Sequence, residues 1–230
     1  NSNLGVVFDE LGDQEKAKSC FKKAIEMNPN IANIQFNLGT ILHKLGEYQK
    51  AKSCYEKAIE INPNYIDAYN NLGILFKVLG DYPKAKPCFD KAIEIDPNNV
   101  VTYNSLGSLH HQLGEFQKAI SCYEKAIEID PNSLAAYINI SQSYTAETNS
   151  EKAISSSYKA LKMYHDKSTF VNQSVPLFRL KHDVQQAKYL SSKNYKIDGL
   201  DQFQKIGNEI LSRKENKEDK NNYNKKILLT

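Results

Sequence analysis

The sequence predicts an all-α fold built from stacked pairs of amphipathic helices, and three observations carry that prediction. Pro29, Pro63, Pro97 and Pro131 fall at intervals of 34 residues, and the same interval links Gly5, Gly39, Gly73 and Gly107, then Gly12, Gly46, Gly80 and Gly114. The stretches 46–64 and 114–132 are identical at 16 of 19 positions. Within each repeat the apolar residues recur every three or four positions, the period of a helix and not of a strand. A fixed period of this length marks a row of equivalent units, none of which buries its apolar face alone.

The repeats run 1–31 (lacking its first three positions), 32–65, 66–99, 100–133 and 134–167, numbered so that the proline is position 32. In the third, Tyr69, Leu72, Phe76 and Leu79 form one apolar stripe and define a first helix. A turn at Gly80-Asp81 follows, with Asp81 as N-cap. The second helix places Ala85, Phe89, Ala92 and Ile93 inward, and "DPNN" ends it. Gly73 and Ala85 lack bulk where the two helices must approach closely. Pro83 falls in the first turn, where its missing N–H is tolerated, while Pro87 lies deeper and predicts a mild kink. The fifth repeat departs from this pattern: Ser141 replaces the close-approach glycine, Thr148 the turn glycine, Ser157 the aromatic and His165 the proline. Its apolar positions Tyr137, Ile140, Tyr144, Ala153 and Ala160 persist, which makes it the expected start of a C-terminal cap.

The set Tyr69, Leu72, Gly73, Phe76, Gly80, Tyr82, Ala85, Phe89, Ala92 and Pro97 resembles the signature of the tetratricopeptide repeat (TPR). That resemblance implies a right-handed α-α superhelix whose first helices line a concave face.

Composition limits the function classes. The 230 residues are 40 % hydrophobic and 25 % charged, with no apolar run long enough to span a membrane and no leader-like segment. The net charge is +3, and only Arg179 and Arg213 among 30 basic residues are arginine, which disfavours nucleic acid as a partner. Cys20, Cys54, Cys88 and Cys122 share one repeat position, so they stand a helical layer apart, too far for disulfides and without the paired spacing of zinc ligands. Reduced thiols fit a cytoplasmic protein. His43 and His111 likewise share a repeat position, at the surface or the groove edge, and no catalytic, phosphate-binding or cofactor motif is present. No enzyme activity, metal or cofactor is expected of these residues.

One column points to function. Position 6 of the five repeats reads Asn3, Asn37, Asn71, Ser105 and Asn139, whereas Asn70 recurs only as Asn104. Asparagine is a poor helix former, so its recurrence in mid-helix calls for a reason. A carboxamide has both donors and an acceptor, and a column of them can pair with the backbone of an extended peptide whatever its side chains. The column resembles the asparagine ladder in the TPR region of O-GlcNAc transferase. A simpler alternative is that an uncharged polar residue is tolerated there, or caps a neighbouring helix. Selectivity is assigned to Asn33, Phe36, Asp67, Asn70, Val101 and Asn104, with Asn70 read as local decoration of the groove. The two-carboxylate clamp of chaperone-binding TPR proteins would need cations where this chain has Ser2, Asp67 and Asn71 or, one repeat on, Phe36, Val101 and Ser105, so that mode is disfavoured.

The expected function is a non-catalytic scaffold that binds a peptide or partner protein in its concave groove. The alternative is the substrate-docking arm of a larger enzyme, a glycosyltransferase, oxygenase or sulfotransferase. Self-association through the repeat ends is a third possibility. Beyond the repeats, 168–212 reads as capping helices and 213–230 as a charged linker or tail. From Leu177 onward Lys/Arg outnumber Asp/Glu by 12 to 7.

Overall fold

A computed structural model describes residues 2–166 and, singly beyond them, Gln185, Asp201, Gln204, Lys205 and Asn208. The capping helices and linker expected over 168–230 therefore lie essentially outside the described residues. The described chain is all α. Its helices are α1 (Ser2–Glu10), α2 (Gln14–Met27), α3 (Ala32–Lys44), α4 (Tyr48–Ile61), α5 (Ile66–Val78), α6 (Tyr82–Ile95), α7 (Val100–Gln112), α8 (Phe116–Ile129), α9 (Leu134–Ala146) and α10 (Ser150–Asp166). Two compact parts divide the chain, 1–113 with α1–α7 and 114–230 with α8–α10.

The repeat is punctuated by two local devices. After α1, α3 and α5 a glycine adopts a left-handed conformation, with φ of 78°, 76° and 76° at Gly12, Gly46 and Gly80. There the Gly46 N–H bonds to the His43 carbonyl and the Glu47 N–H to the Leu42 carbonyl, a Schellman close that satisfies the last carbonyls of α3. After α2, α4 and α6 the Asx side chain turns the chain: Asn28, Asn62 and Asp96 accept from the N–H two residues on, at 3.3, 3.1 and 3.0 Å. Between those residues stands the repeat proline, which has no N–H to continue the helix.

The core comes from the positions without bulk and the rings that fill them. Ala17, Ala51, Ala85, Phe89 and Tyr55 are fully buried, with Phe21 nearly so. A Cβ added to Gly5, Gly39 or Gly73 would lie 2.8, 2.7 or 2.7 Å from a ring carbon of Phe21, Tyr55 or Phe89, so each glycine is the floor on which the next helix lays its aromatic. Of the expected stripe in the third repeat, Leu72 and Phe76 are buried and Tyr69 is half-buried, but Leu79 is exposed. Leu79 is the C-cap residue of α5, and Leu75 takes the core place one turn earlier. Asp81 does occupy the N-cap of α6, though its carboxylate pairs with Lys84 Nζ at 2.6 Å and makes no side-chain cap bond. The helix runs unbroken from Tyr82 to Ile95 through Pro87.

Within the first part each helix packs on the next in sequence. The odd-numbered helices also touch one another, α1 on α3, α3 on α5 and α5 on α7, while α2, α4 and α6 do not touch one another. Unequal approach of this kind places the odd helices on the inner side of the stack. Leu4 and Val7 of α1 stand 50 and 47 % exposed, whereas their equivalents Leu38 and Ile41 of α3 are 6 and 1 %. The second part repeats the packing with α9 between α8 and α10, around Ile120, Tyr123, Ile140, Tyr144 and Ala153.

Candidate peptide groove

The odd-numbered helices of the first part form a wall, and side-chain bonds cross it from repeat to repeat. Lys44 Nζ bonds to Asp9 Oδ1 at 2.6 Å between α3 and α1. Asn71 Nδ2 donates to Thr40 Oγ1 at 3.5 Å between α5 and α3. Asn70 Nδ2 donates to Thr102 Oγ1 at 2.9 Å between α5 and α7.

Asn71 is half-buried on this wall, and its contact orients it. The Thr40 hydroxyl spends its proton on the Phe36 carbonyl at 3.2 Å, so it offers only an acceptor to its neighbour. The carboxamide nitrogen therefore faces Thr40. Its Oδ1 has no partner among the described residues, while the carboxamide nitrogen also lies beside the Tyr55 hydroxyl. Beneath this pair lies Tyr55, fully buried, with no atom at hydrogen-bond geometry to its hydroxyl. Burial raises its pKa, and the nearby Thr40 hydroxyl and Asn71 carboxamide offset part of the rise.

Among the other rungs, Asn37 and Ser105 are half-buried on α3 and α7, and Asn3 is exposed on α1. Asn139 is half-buried on α9 and belongs to the second part.

The residues assigned to selectivity separate into three groups. Asp67 and Val101 are exposed in the first turns of α5 and α7, Val101 at 60 %. Asn33 and Phe36 meet at Tyr65, whose hydroxyl donates to Asn33 Oδ1 at 3.0 Å and whose ring lies 5.1 Å from that of Phe36. Burial, with the Asp67 charge beside it, pushes the Tyr65 phenol up to about 12. Tyr65 belongs to the inter-repeat turn, and sequence reasoning, confined to the first helices, missed it.

The third group corrects an expectation. Asn70 is 2 % exposed and is no decoration of the groove; it is buried between α5 and α7 and tied to Thr102. Asn104 donates to the Val100 carbonyl at 3.2 Å, and its Oδ1, like that of Asn70, is buried without a partner among the described residues. Position 5 lies about 100° around the helix from position 6, enough to turn a side chain from the open face into the seam with the next repeat.

The repeat cysteines are half-buried on the even-numbered helices, and burial pushes the Cys54 and Cys88 thiols up to about 11, away from the reactive thiolate. His43 packs edge-on against Tyr48, 5.7 Å between centroids, and burial lowers its pKa. No group of three or more His, Cys, Asp or Glu among the described residues could hold a metal. No helix among them is long and apolar enough to cross a membrane.

With repeat, turn and packing in place, comparison with known families decides the class. Models of the tetratricopeptide repeat match residues 2–31, 30–98, 64–132 and 101–166. The chain belongs to the tetratricopeptide-repeat family. Its fold class is accordingly the all-α helical-repeat superhelix of TPR proteins. Among solved structures it is similar to MamA, at 26 % identity and TM-score 0.60, over 76 % of this chain and 96 % of that one. PilF of Pseudomonas aeruginosa shares the fold at 18 % identity and TM-score 0.72, over 92 % of this chain and 89 % of its own. YrrB, described as a TPR protein with an unusual peptide-binding site, shares it at 24 % identity and TM-score 0.55, over 72 and 86 %. Among curated protein sequences none matches the chain. Membership in this family makes the chain a protein-interaction scaffold.

Proposed function

We propose that the odd-helix wall of this TPR protein binds an extended peptide or unstructured partner segment through its backbone, without catalysis. The carrying observation is Asn71: its nitrogen is held at Thr40, and its Oδ1 is left to accept from the N–H of a peptide. Asn37 and Ser105 repeat this polarity on the neighbouring helices, in the manner of the O-GlcNAc transferase ladder, and Asn139 does so in the second part. Phe36 and Tyr65 add an aromatic surface for an apolar side chain of the peptide. YrrB illustrates that the fold can carry a peptide site.

The test is selection of a random peptide library displayed on phage, followed by affinity measurement of a recovered peptide. Asn37→Ala combined with Asn71→Ala lowers that affinity at least about tenfold, as expected for two or more lost backbone pairings. The melting temperature stays nearly unchanged, because only one long bond to Thr40 is given up. Equal affinity in the double variant would overturn the reading.

A further inference from the structure

Lys77 is a polar group of the wall that the ladder does not use. Within residues 1–113 the other half-buried lysines are Lys18, Lys52, Lys57 and Lys91, and each has a carboxylate within 3.5 Å. Lys77 has none. Its ammonium crosses from α5 to α7 and donates to the neutral Ser108 Oγ at 2.9 Å. Helix α7 contains no acidic residue, and α5 has only Asp67, in its first turn, whereas Lys77 is in its last. Burial lowers the Lys77 pKa with no neighbouring charge to oppose it, while carboxylates raise those of Lys18 and Lys91. A partly desolvated cation without a counter-charge is costly unless something supplies one.

Its place on the wall suggests what does. Ser108 stands three residues after Ser105 on the same face of α7, and Ser105 is the one rung where the column has no asparagine. A serine leaves space that a carboxamide would fill, and its hydroxyl can donate to an oxygen anion. We propose that Lys77, Ser105 and Ser108 form a selectivity subsite for an acidic side chain, an Asp or Glu carboxylate, of the bound peptide. The subsite rests on the peptide-groove reading and adds side-chain selectivity to it. The carboxylate accepts from the ammonium on one oxygen and from a serine hydroxyl on the other. Backbone pairing by the asparagines is blind to sequence, so Lys77 sets which peptide segment is registered against α5 and α7.

Two measurements test this, and their failures are distinguishable. In the first, the random peptide library is selected on wild type, Lys77→Arg, Lys77→Met and Lys77→Glu. Wild type and Lys77→Arg enrich Asp or Glu at one peptide position, Lys77→Met loses that preference, and Lys77→Glu replaces it with Lys or Arg. Affinity of a selected acidic peptide falls roughly tenfold in Lys77→Met, and the difference shrinks at high salt. In the second, N-acetyl-aspartate amide is titrated while the NMR signals of Lys77 and Ser108 are followed; they shift to saturation in wild type and Lys77→Arg alone. Recovered peptides with no acidic preference overturn the subsite and leave the groove reading standing. Failure to recover any peptide overturns the groove reading, and the aspartate titration then decides the subsite by itself: saturating shifts support it, their absence overturns it.

Discussion

The third and fifth repeats fold the same pair of helices with opposite chemistry at their closest point. In the third, Gly73 is bare and Phe89 covers it, fully buried. In the fifth, Ser141 stands in the glycine's place and Ser157 in the ring's, and their hydroxyl oxygens meet at 2.6 Å. The two substitutions compensate. An aromatic over Ser141 would collide with the added atoms, and a serine over Gly73 would leave a void. The turn that follows differs in the same spirit. Thr148 holds φ at +61°, beside 76° for Gly80, and its N–H and that of Asn149 still close α9 onto the Thr145 and Tyr144 carbonyls. Geometry is thus shared by the two repeats. What differs is the means of reaching it, a packed ring in one and a hydrogen bond with a strained turn in the other.

That contrast orders the experiments. The largest effect is expected from Gly73→Val, which drives atoms into the Phe89 ring and destabilises by about 3 kcal/mol. Denaturant unfolding measures it, and a near-neutral result would mean that the ring has room to move. Next is the hydroxyl pair. Ser141→Ala and Ser157→Ala should each cost about 1 kcal/mol and the double variant little more than one of them, since the same bond is removed twice. Full additivity would sever the two serines. Thr148→Gly should act in the other direction, stabilising by about 0.5–1 kcal/mol through release of a β-branched residue from left-handed backbone. A loss of stability there would mean that the turn is held by the threonine side chain instead.

The smallest effect concerns ion pairs that tie repeats in the first part. Lys18, and after it Lys50, pulls the Glu47 carboxyl down to about 2 from an ordinary 4.5. A depressed carboxyl stabilises the fold above its unfolded value and loses that contribution as pH falls through the folded one. Stability therefore declines between about pH 4.5 and 2, and Glu47→Gln flattens the melting-temperature profile in that window. Identical profiles would show that the pair is only a surface contact.

Much of this was legible in the sequence because it repeats. A close-approach glycine and a ring sixteen residues later recur together in Gly5–Phe21, Gly39–Tyr55 and Gly73–Phe89, so their contact could be anticipated before any coordinate. The loss of both partners at 141 and 157 was equally visible. The hydroxyl bond that replaced them was not, because a serine pair has no periodic signal to announce it. Groove assignment was weaker. Phe36 and Asn33 were placed on the wall, yet Tyr65, which joins them, lies in a turn. Lys77 was overlooked because lysines are common and only the absence of nearby carboxylates sets it apart.

The sequence by itself determined the helical repeat, its turns and the recurrence of a carboxamide at position 6, since period, glycine and proline act locally. Tertiary structure alone decided between two adjacent asparagines. Asn70 and Asn71 share chemistry and helix, but a rotation of about 100° per residue carries one into the seam with α7 and leaves the other on the wall. Which neighbour waits there, Thr102 for Asn70 and Thr40 for Asn71, depends on the stacking of repeats some thirty residues apart in the chain.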